Sequence, residues 1–599
     1  MKNPARVYFY FLLIALTFIS CTPSFAATRP ADSVYRNGYI YTVDAHDSVR
    51  EAVAIRDGKI VYVGSNRGAK PFIGKNTKVI DLRRRMLMPG LVDGHMHPLE
   101  GGAQLLKCSL NYEALTVEQF QARIQTCLDK TKDQEPDGWL EVVNWFQQNM
   151  LPSGTELTHE TLDVLKTKRP ILVESSFGHS TLANTRGLQL ADINAKTTDP
   201  VAGKIAHDAA GNPTGILEDA AQRLVQDLLP KPTEAENVAA ARAALDALRK
   251  QGITTFMDAS ASPENVAAFA TVQREGKLTV RAHFAPVISP AEGPEPEKAV
   301  AKVKELAKKY DQGAIVTRPT ITVRNVKLFM DGVITAPAFT GTMLQPYFAN
   351  TGTQEIPNWG PGNFKGPDPY FAPAVLKAVL FQIVTAGFEP HIHADGDGAV
   401  RAALDGFEAM RAQFPGQDVR AAIAHDEIVD PVDFGRYAKL DVIPVLSLQW
   451  GKPASDTIDG AKEYLGPARF KILEPAGLLH AAGARVAYGS DWPVDPLDEW
   501  FALKVGITRT NAPEADAKYA GKLGEDPGLT PQTAVRAITM NSSYQLHQEK
   551  QTGSLEVGKL ADLIVLDRNL FKIPPEQIAD VKVLLTVIGG QVVFKDPSF

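Results

Sequence analysis

The chain has 599 residues, of which 44% are hydrophobic and 22% are charged, and its formal net charge is −6. These are ordinary values for a folded protein with a large core, so they exclude a disordered chain and a small disulfide-dependent scaffold. The charge balance offers no broad basic surface, which argues against a nucleic-acid partner.

The first 26 residues have the order of a secretory signal peptide. Lys2 and Arg6 precede an apolar run at 7–19, and Ser-Phe-Ala at 24–26 suits cleavage. The run is shorter than the roughly 20 residues of a membrane-spanning helix. We therefore predict an exported protein, periplasmic or secreted, with no stable membrane span. Cys21 leaves a lipid-anchored form as the alternative.

Short apolar runs broken by turns fill both ends of the mature chain. Near the start, Asp57-Gly58 separates two such runs and predicts a β-hairpin. Comparable runs recur over 561–594. We predict that residues 27–86 and 553–599 form one composite β-sandwich.

Between these ends, apolar segments alternate with helical stretches, a pattern that predicts parallel strands joined by helices. Together with the segment that ends at His97, the chain has eight such apolar segments. The predicted fold class is therefore α/β, a (β/α)8 TIM-type barrel at 87–552. In such barrels the catalytic residues lie at the carboxyl ends of the strands. The other seven segments are 252–257, 280–287, 326–330, 390–393, 421–425, 442–448 and 485–490.

Two long stretches interrupt the alternation. The chain between the first two strands is too long for one βα unit, so an inserted subdomain is predicted at about 98–250. A stretch rich in Gly, Pro and aromatic residues at about 335–373 lacks periodicity and is predicted as a lid-like loop. Cys108 and Cys127 lie in the insertion, and the sequence leaves open whether they pair or remain buried thiols.

Metal-binding side chains stand at the ends of several predicted strands. His95 and His97 are two residues apart in an extended segment, so their side chains point the same way and can hold one metal ion. His393 and His425 end two later strands. Asp491 ends the last strand, where a carboxylate can bind a metal and accept a proton. Each alone is more often a core histidine or a turn aspartate, but together they predict a metal site.

Lys327 lies in a strand too apolar to accommodate a buried ammonium group without compensation. A lysine inside a barrel can react with carbon dioxide to give a carbamate, an anionic ligand that bridges two metal ions. The simpler alternatives are a lysine that extends to solvent or one that pairs with Asp331. The place of Lys327 between His97 and the later histidines favours the carbamate.

In this order, the six residues and their flanking motifs resemble the binuclear amidohydrolase superfamily, and more narrowly the third amidohydrolase family, which includes N-substituted formamide deformylases. The motifs include Pro-Gly-Leu-Val-Asp-Gly-His at 89–95 and Phe-Gly-His-Ser at 177–180. The resemblance implies two divalent ions, commonly zinc, bridged by carbamylated Lys327. It also implies that a metal-activated hydroxide cleaves a C–N bond, with catalytic Asp491 shuttling the proton. His179 would bind the carbonyl oxygen or its oxyanion, or else order a loop.

The expected activity is hydrolysis of an amide, N-acyl or N-formyl bond in a small-molecule substrate by an exported enzyme. Many relatives have isoleucine where this chain has Asp395, an extra acid that could tune charge or substrate choice. The alternatives are a mononuclear deaminase, which would not need Lys327, an ester or phosphoester hydrolase on the same barrel, and a non-catalytic exported regulatory or binding protein. The oligomeric state stays open, a homo-oligomer included. The predicted substrate-contacting residues are Trp145, for which rim packing is the alternative, Arg324, Gln449 and Arg509.

Overall fold

A computed structural model of the protein describes residues 29–133, 138–152, 154–176, 178, 180–200, 203–336, 338–353 and 355–599. The predicted signal peptide and Cys21 lie outside the described residues, so the prediction of export rests on the sequence. Among the described residues, no helix has both the length and the apolar character needed to cross a bilayer.

Two β-sheets share an apolar core, and the second sheet contains strands from both ends of the chain. Asp57 and Gly58 have φ values of 52° and 74°, as a two-residue hairpin turn requires, and the predicted hairpin forms here. In spatial order, the first sheet has strands Lys59–Gly64, Ala52–Arg56, Ser33–Arg36 and Lys78–Asp81. The second has Gln591–Lys595, Val583–Ile588, Leu563–Leu566, Met86–Pro89, Tyr39–Tyr41 and Val49–Arg50.

The strand Leu563–Leu566 shows why the second sheet is apolar on both faces. Successive side chains of a strand point to opposite faces of the sheet. Leu563 and Val565 pack in the core between the two sheets, whereas Ile564 and Leu566 belong to the main core of the molecule. The sandwich is therefore joined to the rest of the protein by a continuous apolar contact.

Eight parallel strands occupy the eight segments that the sequence predicts as barrel strands. They are β1 (Leu91–Met96), β2 (Ile253–Ala261), β3 (Arg281–Pro286), β4 (Asn325–Phe329), β5 (Glu389–Ala394), β6 (Ala422–His425), β7 (Ile443–Leu446) and β8 (Ala487–Tyr488). Strands β1 to β3 form one sheet, with Ile321–Thr322 added at its edge, and β4 to β8 form a second.

The two sheets meet through backbone hydrogen bonds at both seams. The amide of Ile288 donates to the carbonyl of Lys327 at 3.0 Å, and the amide of Asp491 donates to that of His95 at 2.8 Å. The described strands therefore form a barrel-like α/β array in two ladders. A single closed ladder, as the predicted barrel requires, is not present among the described strands.

Helices pack against these strands in the main core. Helix Glu234–Gln251 begins with a capping box between Thr233 and Glu236 and ends at Gly252, whose φ is 88°. It lies so close to the helix after β1 that a Cβ on Gly102 would be 2.0 Å from one of its backbone oxygens. The other helices are Pro98–Gln104, Pro263–Arg274, Pro296–Tyr310, Pro373–Thr385, Asp397–Gln413, Phe434–Leu440, Lys462–Phe470, Ala476–Ala481, Glu499–Thr508, Pro531–Arg536 and Ser542–Gln545.

The inserted subdomain has two apolar cores of its own. Helix Glu234–Gln251, which the sequence assigns to the insertion, instead contributes residues such as Ala240 to the main core. Cys108 and Cys127 form a disulfide with a Cα–Cα distance of 5.8 Å. In spatial order, the sheet of the insertion is Gly203–His207, Pro213–Asp219, Ser180–Ala183, Ile171–Ser175, Leu140–Trp145 and Cys108–Ser109. Its helices are Val117–Thr131, His159–Asp163, Thr185–Leu190 and Arg223–Gln226.

The stretch predicted as a lid-like loop contains a short hairpin, Phe348–Asn350 with Trp359–Pro361. Met343 and Tyr347 share a small apolar core with residues between 461 and 473. Thr335, near the start of the stretch, lines the cavity at the carboxyl ends of the barrel strands. The stretch is therefore part of the wall around that cavity.

Candidate metal centre

The first two histidines and the last aspartate meet where β1 and β8 end. His95 Nε2 lies 3.3 Å and His97 Nε2 lies 3.0 Å from Oδ1 of Asp491. Gly489 allows this approach, since a Cβ there would lie 2.4 Å from the Cβ of His95. The buried Asp93 carboxylate accepts hydrogen bonds from backbone amides of both strand ends. One carboxylate therefore fixes the relative position of the two strand ends.

The charge states of His95 and Asp491 suit a cation. Burial lowers the pKa of His95 well below its ordinary value, and repulsion from Lys327 adds to this effect. Burial alone would raise the pKa of Asp491, but the hydrogen bond from His97 and attraction to His425 hold it below its ordinary value. A neutral imidazole and an ionised carboxylate are the forms that bind a metal ion.

Lys327 lies on β4 beside this group and is 1% exposed. Its Nζ is 3.3 Å from His95 Nε2 and 4.6 Å from the centroid of the Phe329 ring. Burial lowers its pKa to about 7, against the attraction of Asp491. Asp331, the alternative partner considered from the sequence, accepts hydrogen bonds from three backbone amides at 2.9, 2.9 and 3.0 Å. Lys327 is thus held inside the site and does not extend to solvent.

His393 on β5 and His425 on β6 extend the cluster. Their ring centroids are 4.5 Å apart, and the ring of His425 is 4.7 Å from that of His95. Nδ1 of His425 is buried and has no hydrogen-bond partner among the described residues. The φ of His425 is 82° and that of Asp491 is 55°, conformations that cost about 1–3 kcal/mol each. An unpartnered buried ring nitrogen on a strained backbone indicates a site built for a ligand.

Two sets of three side chains place their potential ligand atoms within 4.8 Å of one another. One set is His95, His425 and Asp491, and the other is His393, Asp395 and His425. Imidazoles and carboxylates are the donors that divalent ions such as zinc take in proteins, so the residues fit a metal centre. The structure brings all six sequence-predicted ligands together and places Asp395, the extra acid noted in the sequence, beside them. The signal for Asp395 in the sequence is its position two residues beyond a ligand at a strand end.

His391 supports this centre from one layer deeper on β5. Its Nε2 lies 2.7 Å from Nδ1 of His95. A partner on the second ring nitrogen fixes the orientation and tautomer of a ligating histidine. His391 therefore positions His95.

Two of the four predicted substrate-contacting residues lie near the centre. Gln449 donates from Nε2 to the carbonyl of Ser490 at 2.6 Å, and its Oε1 has no partner among the described residues. Arg509 is 1% exposed and donates to the carbonyls of Leu473 and Glu474 at 2.8 and 2.6 Å. Its guanidinium supports the backbone of the cavity wall, so the expected substrate contact of Arg509 is corrected to a structural role.

The other two predicted substrate-contacting residues, Arg324 and Trp145, lie away from the candidate metal centre. Arg324 immediately precedes β4 and donates to the carbonyl of Gly313 at 2.7 Å, so it lies at the amino end of a strand whose carboxyl end faces the metal centre. Trp145 is 2% exposed and packs beside Phe120 in the core of the insertion. Both expectations of substrate contact are therefore corrected. His179 lies outside the described residues, and its contact with a carbonyl oxygen stays a prediction.

A cavity opens beside the ligands. His393, His425 and Asp491 line it together with Trp450, whose indole stacks on His425 with 5.4 Å between ring centroids. The wall also carries four acids, namely Asp395, Glu427, Asp456 and Glu474. Asp456 stands in a short π-helix and Glu474 in the loop between two helices, so no strand pattern marks them in the sequence.

Parallel strands with histidines and carboxylates gathered at their carboxyl ends define a class, the metal-dependent enzymes of barrel-like α/β fold. The sequence profile of the amidohydrolase family matches residues 78–594, and the chain belongs to this family. The resemblance read from the motifs is thereby confirmed. Membership places the protein among metal-dependent hydrolases.

Individual relatives cover most of the chain. It is 30% identical over 454 residues to the exoenzymes regulatory protein AepA of Pectobacterium carotovorum subsp. carotovorum, covering 72% of this chain and 90% of that protein. It is 23% identical to the N-substituted formamide deformylase of Arthrobacter pascens, covering 94% of this chain and 98% of that protein. An uncharacterized metal-dependent hydrolase from Pyrococcus horikoshii OT3 has a similar structure, with a TM-score of 0.68, 21% identity, and coverage of 91% of this chain and 99% of that one. This last likeness shows the fold.

Proposed function

We propose that the protein is an exported, metal-dependent amidohydrolase that cleaves a non-peptide carbon–nitrogen bond, an amide, N-acyl or N-formyl bond, in a small molecule. The observation that carries the proposal is the convergence of the six predicted metal ligands at the carboxyl ends of the strands, where three of them line one cavity. The similarity to an N-substituted formamide deformylase over 94% of the chain supports the choice of bond.

We assign two divalent ions, preferably zinc, to the centre. The residues that would hold the ions are His95, His97, His393, His425, Asp491 and Lys327 as a carbamate. The burial of Lys327 against His95 supports its inclusion in this set. When bound, such ions polarise a carbonyl group and lower the pKa of water.

The side chains of the cavity supply the remaining steps. Asp491 lines the cavity as an ionised carboxylate, so it can accept a proton from the attacking water and deliver it to the departing amine. His97, 3.0 Å away, orients that carboxylate. Trp450 covers His425 and limits the access of bulk water. His179 is assigned to the carbonyl oxygen, where a donor stabilises developing negative charge.

Export is supported by the signal-peptide pattern of residues 1–26 and by the disulfide between Cys108 and Cys127. Disulfides persist in oxidising compartments such as the periplasm or the extracellular space. Fractionation of the producing cells, with detection of the cleaved form, tests this part of the proposal.

The main test measures metal content and chemistry together. Elemental mass spectrometry of the mature protein, purified without chelator and with bicarbonate, should give about two ions per chain. Lys327→Ala should lower this ratio, whereas Lys462→Ala, at an exposed helical position, should not. Carbon-13 NMR after exchange with labelled bicarbonate should show a carbamate in the parent protein that Lys327→Ala lacks. A panel of N-formyl and N-acyl amines, esters and phosphoesters should show amide cleavage.

The alternatives predict other results. A ratio near one, with an unchanged ratio in Lys327→Ala, would favour a mononuclear deaminase. Cleavage of esters or phosphoesters alone would reassign the reaction. A regulatory role is supported by the 30% identity to AepA, and a protein that binds no metal after reloading and hydrolyses nothing in the panel would overturn the enzymatic proposal in its favour.

A further inference from the structure

Building on the proposed hydrolase function, we propose that the substrate carries a cationic group, an ammonium or amidinium, that binds in an acidic pocket beside the metal centre. The pocket consists of Asp395, Glu427, Asp456 and Glu474, which line the same cavity as the metal ligands. Its position would hold the charged end of the substrate while the scissile bond lies against the ligands.

Several carboxylate oxygens of this acidic pocket have no hydrogen-bond donor among the described residues. Glu474 is 6% exposed, and no described residue donates a hydrogen bond to its side chain. Asp395 is 2% exposed, and its buried Oδ1 has no hydrogen-bond partner among the described residues. Oδ1 of Asp456 is likewise a buried atom without a hydrogen-bond partner among the described residues. Burying such oxygens without donors is unfavourable, so their arrangement around a cavity indicates a ligand that donates hydrogen bonds.

Lys452 and Arg509 lie near the acidic pocket, but among the described residues neither forms an ion pair with its four acids. Lys452 donates to the carbonyl of Gln449 at 2.8 Å, and Arg509 donates to backbone carbonyls of the wall. No lysine or arginine is among the described residues that line the cavity. Burial and repulsion from Glu427 raise the pKa of Glu474 well above its ordinary value, against the attraction of Arg509. The side chain of Glu474 therefore favours its protonated form until a cation binds, and a bound cation would favour the carboxylate.

Trp450 adds a second surface that attracts cations. Its ring is fixed by stacking on His425 and by a hydrogen bond from Nε1 to Asp495 at 2.8 Å. The face of a tryptophan ring attracts an ammonium or guanidinium group within reach. Asp395 Oδ1 lies only 3.5 Å from Nε2 of His393, so the charged group and the scissile bond must be joined by a short linker.

The test compares two substrates of nearly equal shape. Mono-N-formyl diaminobutane ends in an ammonium group, and N-formylpentylamine ends in a methyl group at the same position. For the metal-loaded protein, we expect kcat/KM to favour the cationic substrate by at least about tenfold. Calorimetry with diaminobutane and with pentanol, on loaded and metal-free protein, measures binding without turnover and should show binding of the diamine alone.

Glu474→Gln and Asp456→Asn should each lower the preference for the cationic substrate about tenfold and weaken diamine binding to the same extent. Glu474→Asp, which keeps the charge, should retain part of the preference. The matched control is Glu463→Gln, an exposed position on the neighbouring helix, which should leave the preference unchanged. Circular dichroism of each variant shows whether it is folded. If one of the two neutral variants is unfolded, the comparison uses the other neutral variant and Glu474→Asp.

The outcomes separate this inference from the function on which it rests. Hydrolysis of both substrates with equal kcat/KM would overturn the cationic pocket and leave the hydrolase intact. Selective binding of the diamine without hydrolysis of either substrate would support the pocket while counting against the hydrolase. A third metal ion per chain that is lost in Glu474→Gln would overturn the inference by showing that the acids bind metal.

Discussion

Removal of the Asp562 carboxylate should destabilise the protein strongly. Asp562 accepts hydrogen bonds from Nε and Nη2 of Arg281 at 2.6 and 3.1 Å, and from the amide of Gly589 at 2.7 Å. The side chains of the pair are 0% and 2% exposed. Because Arg281 begins β3 and Asp562 precedes the strand Leu563–Leu566, the pair links the barrel-like array to the sandwich.

The magnitude follows from what the substitution leaves behind. Asp562→Ala removes two hydrogen bonds between charged groups, each worth about 1.5–3 kcal/mol. Breaking a buried ion pair from one side costs about 3–5 kcal/mol. Arg281 keeps hydrogen bonds to the carbonyls of Val316, Thr317 and Arg318. These carbonyls partly solvate the guanidinium, so we expect the free energy of unfolding to fall by about 3 kcal/mol.

Urea unfolding followed by tryptophan fluorescence measures this loss. The control is Glu275→Gln, which breaks a partly exposed pair with Arg242 and should cost less than about 1 kcal/mol. Arg281→Met combined with Asp562→Leu removes both charges and should recover most of the loss. A loss for Asp562→Ala no larger than that of the control, or a double variant no more stable than Asp562→Ala, would refute the reasoning.

Three further predictions concern other parts of the molecule. His391→Asn should weaken metal affinity about 10–100-fold in a competition titration with a chromophoric chelator, because His95 then loses the side chain that orients its ring. Cys127→Ser should destabilise the insertion by about 3 kcal/mol, since the bond to Cys108 closes a loop with a sequence separation of 19, and limited proteolysis should then cut the insertion first. The hydrogen bond from Lys302 lowers the pKa of Glu292 from its ordinary 4.5 to about 2 in the folded protein. The stability that the ionised Glu292 contributes is therefore complete above pH 4.5 and is lost as the pH falls through the pKa of the folded state. In Glu292→Gln, the urea midpoint of unfolding should therefore fall less steeply as the pH is lowered through this range. An unchanged metal affinity in His391→Asn would contradict the first prediction, and first cleavage outside the insertion in Cys127→Ser would contradict the second. An unchanged dependence of the urea midpoint on acidic pH in Glu292→Gln would contradict the third.

The barrel strands could be located from sequence because each is buried on both faces, and a short continuous apolar run between turns is typical of such a strand. Their ends were less predictable. The run 485–490 forms only the two-residue strand Ala487–Tyr488, because the chain turns away toward Asp491, whose φ is positive. Helix Glu234–Gln251 illustrates a different limit, since sequence alone does not show which of two neighbouring cores a helix packs against.

The convergence of the six proposed metal ligands could be predicted because parallel strands bring their carboxyl ends together, so a histidine at such an end has a known location. The positions of Asp456 and Glu474 could not be predicted, since one stands in a short π-helix and the other in a loop, and the placement of both depends on tertiary packing. Arg324 shows that strand direction matters as much as proximity. It adjoins a barrel strand but precedes it, and this places the side chain at the end away from the ligands.

The pairing of Met88 with Ile564 bears on how the molecule is made. Strand Met86–Pro89 lies between Tyr39–Tyr41 and Leu563–Leu566 in its sheet, so one edge stays open during synthesis until nearly the whole chain has emerged. Open edges invite pairing with other chains, and contacts between distant segments form slowly. A nascent chain therefore needs protection from aggregation until its last strands arrive, and a chain that ends before residue 563 would keep the open edge permanently.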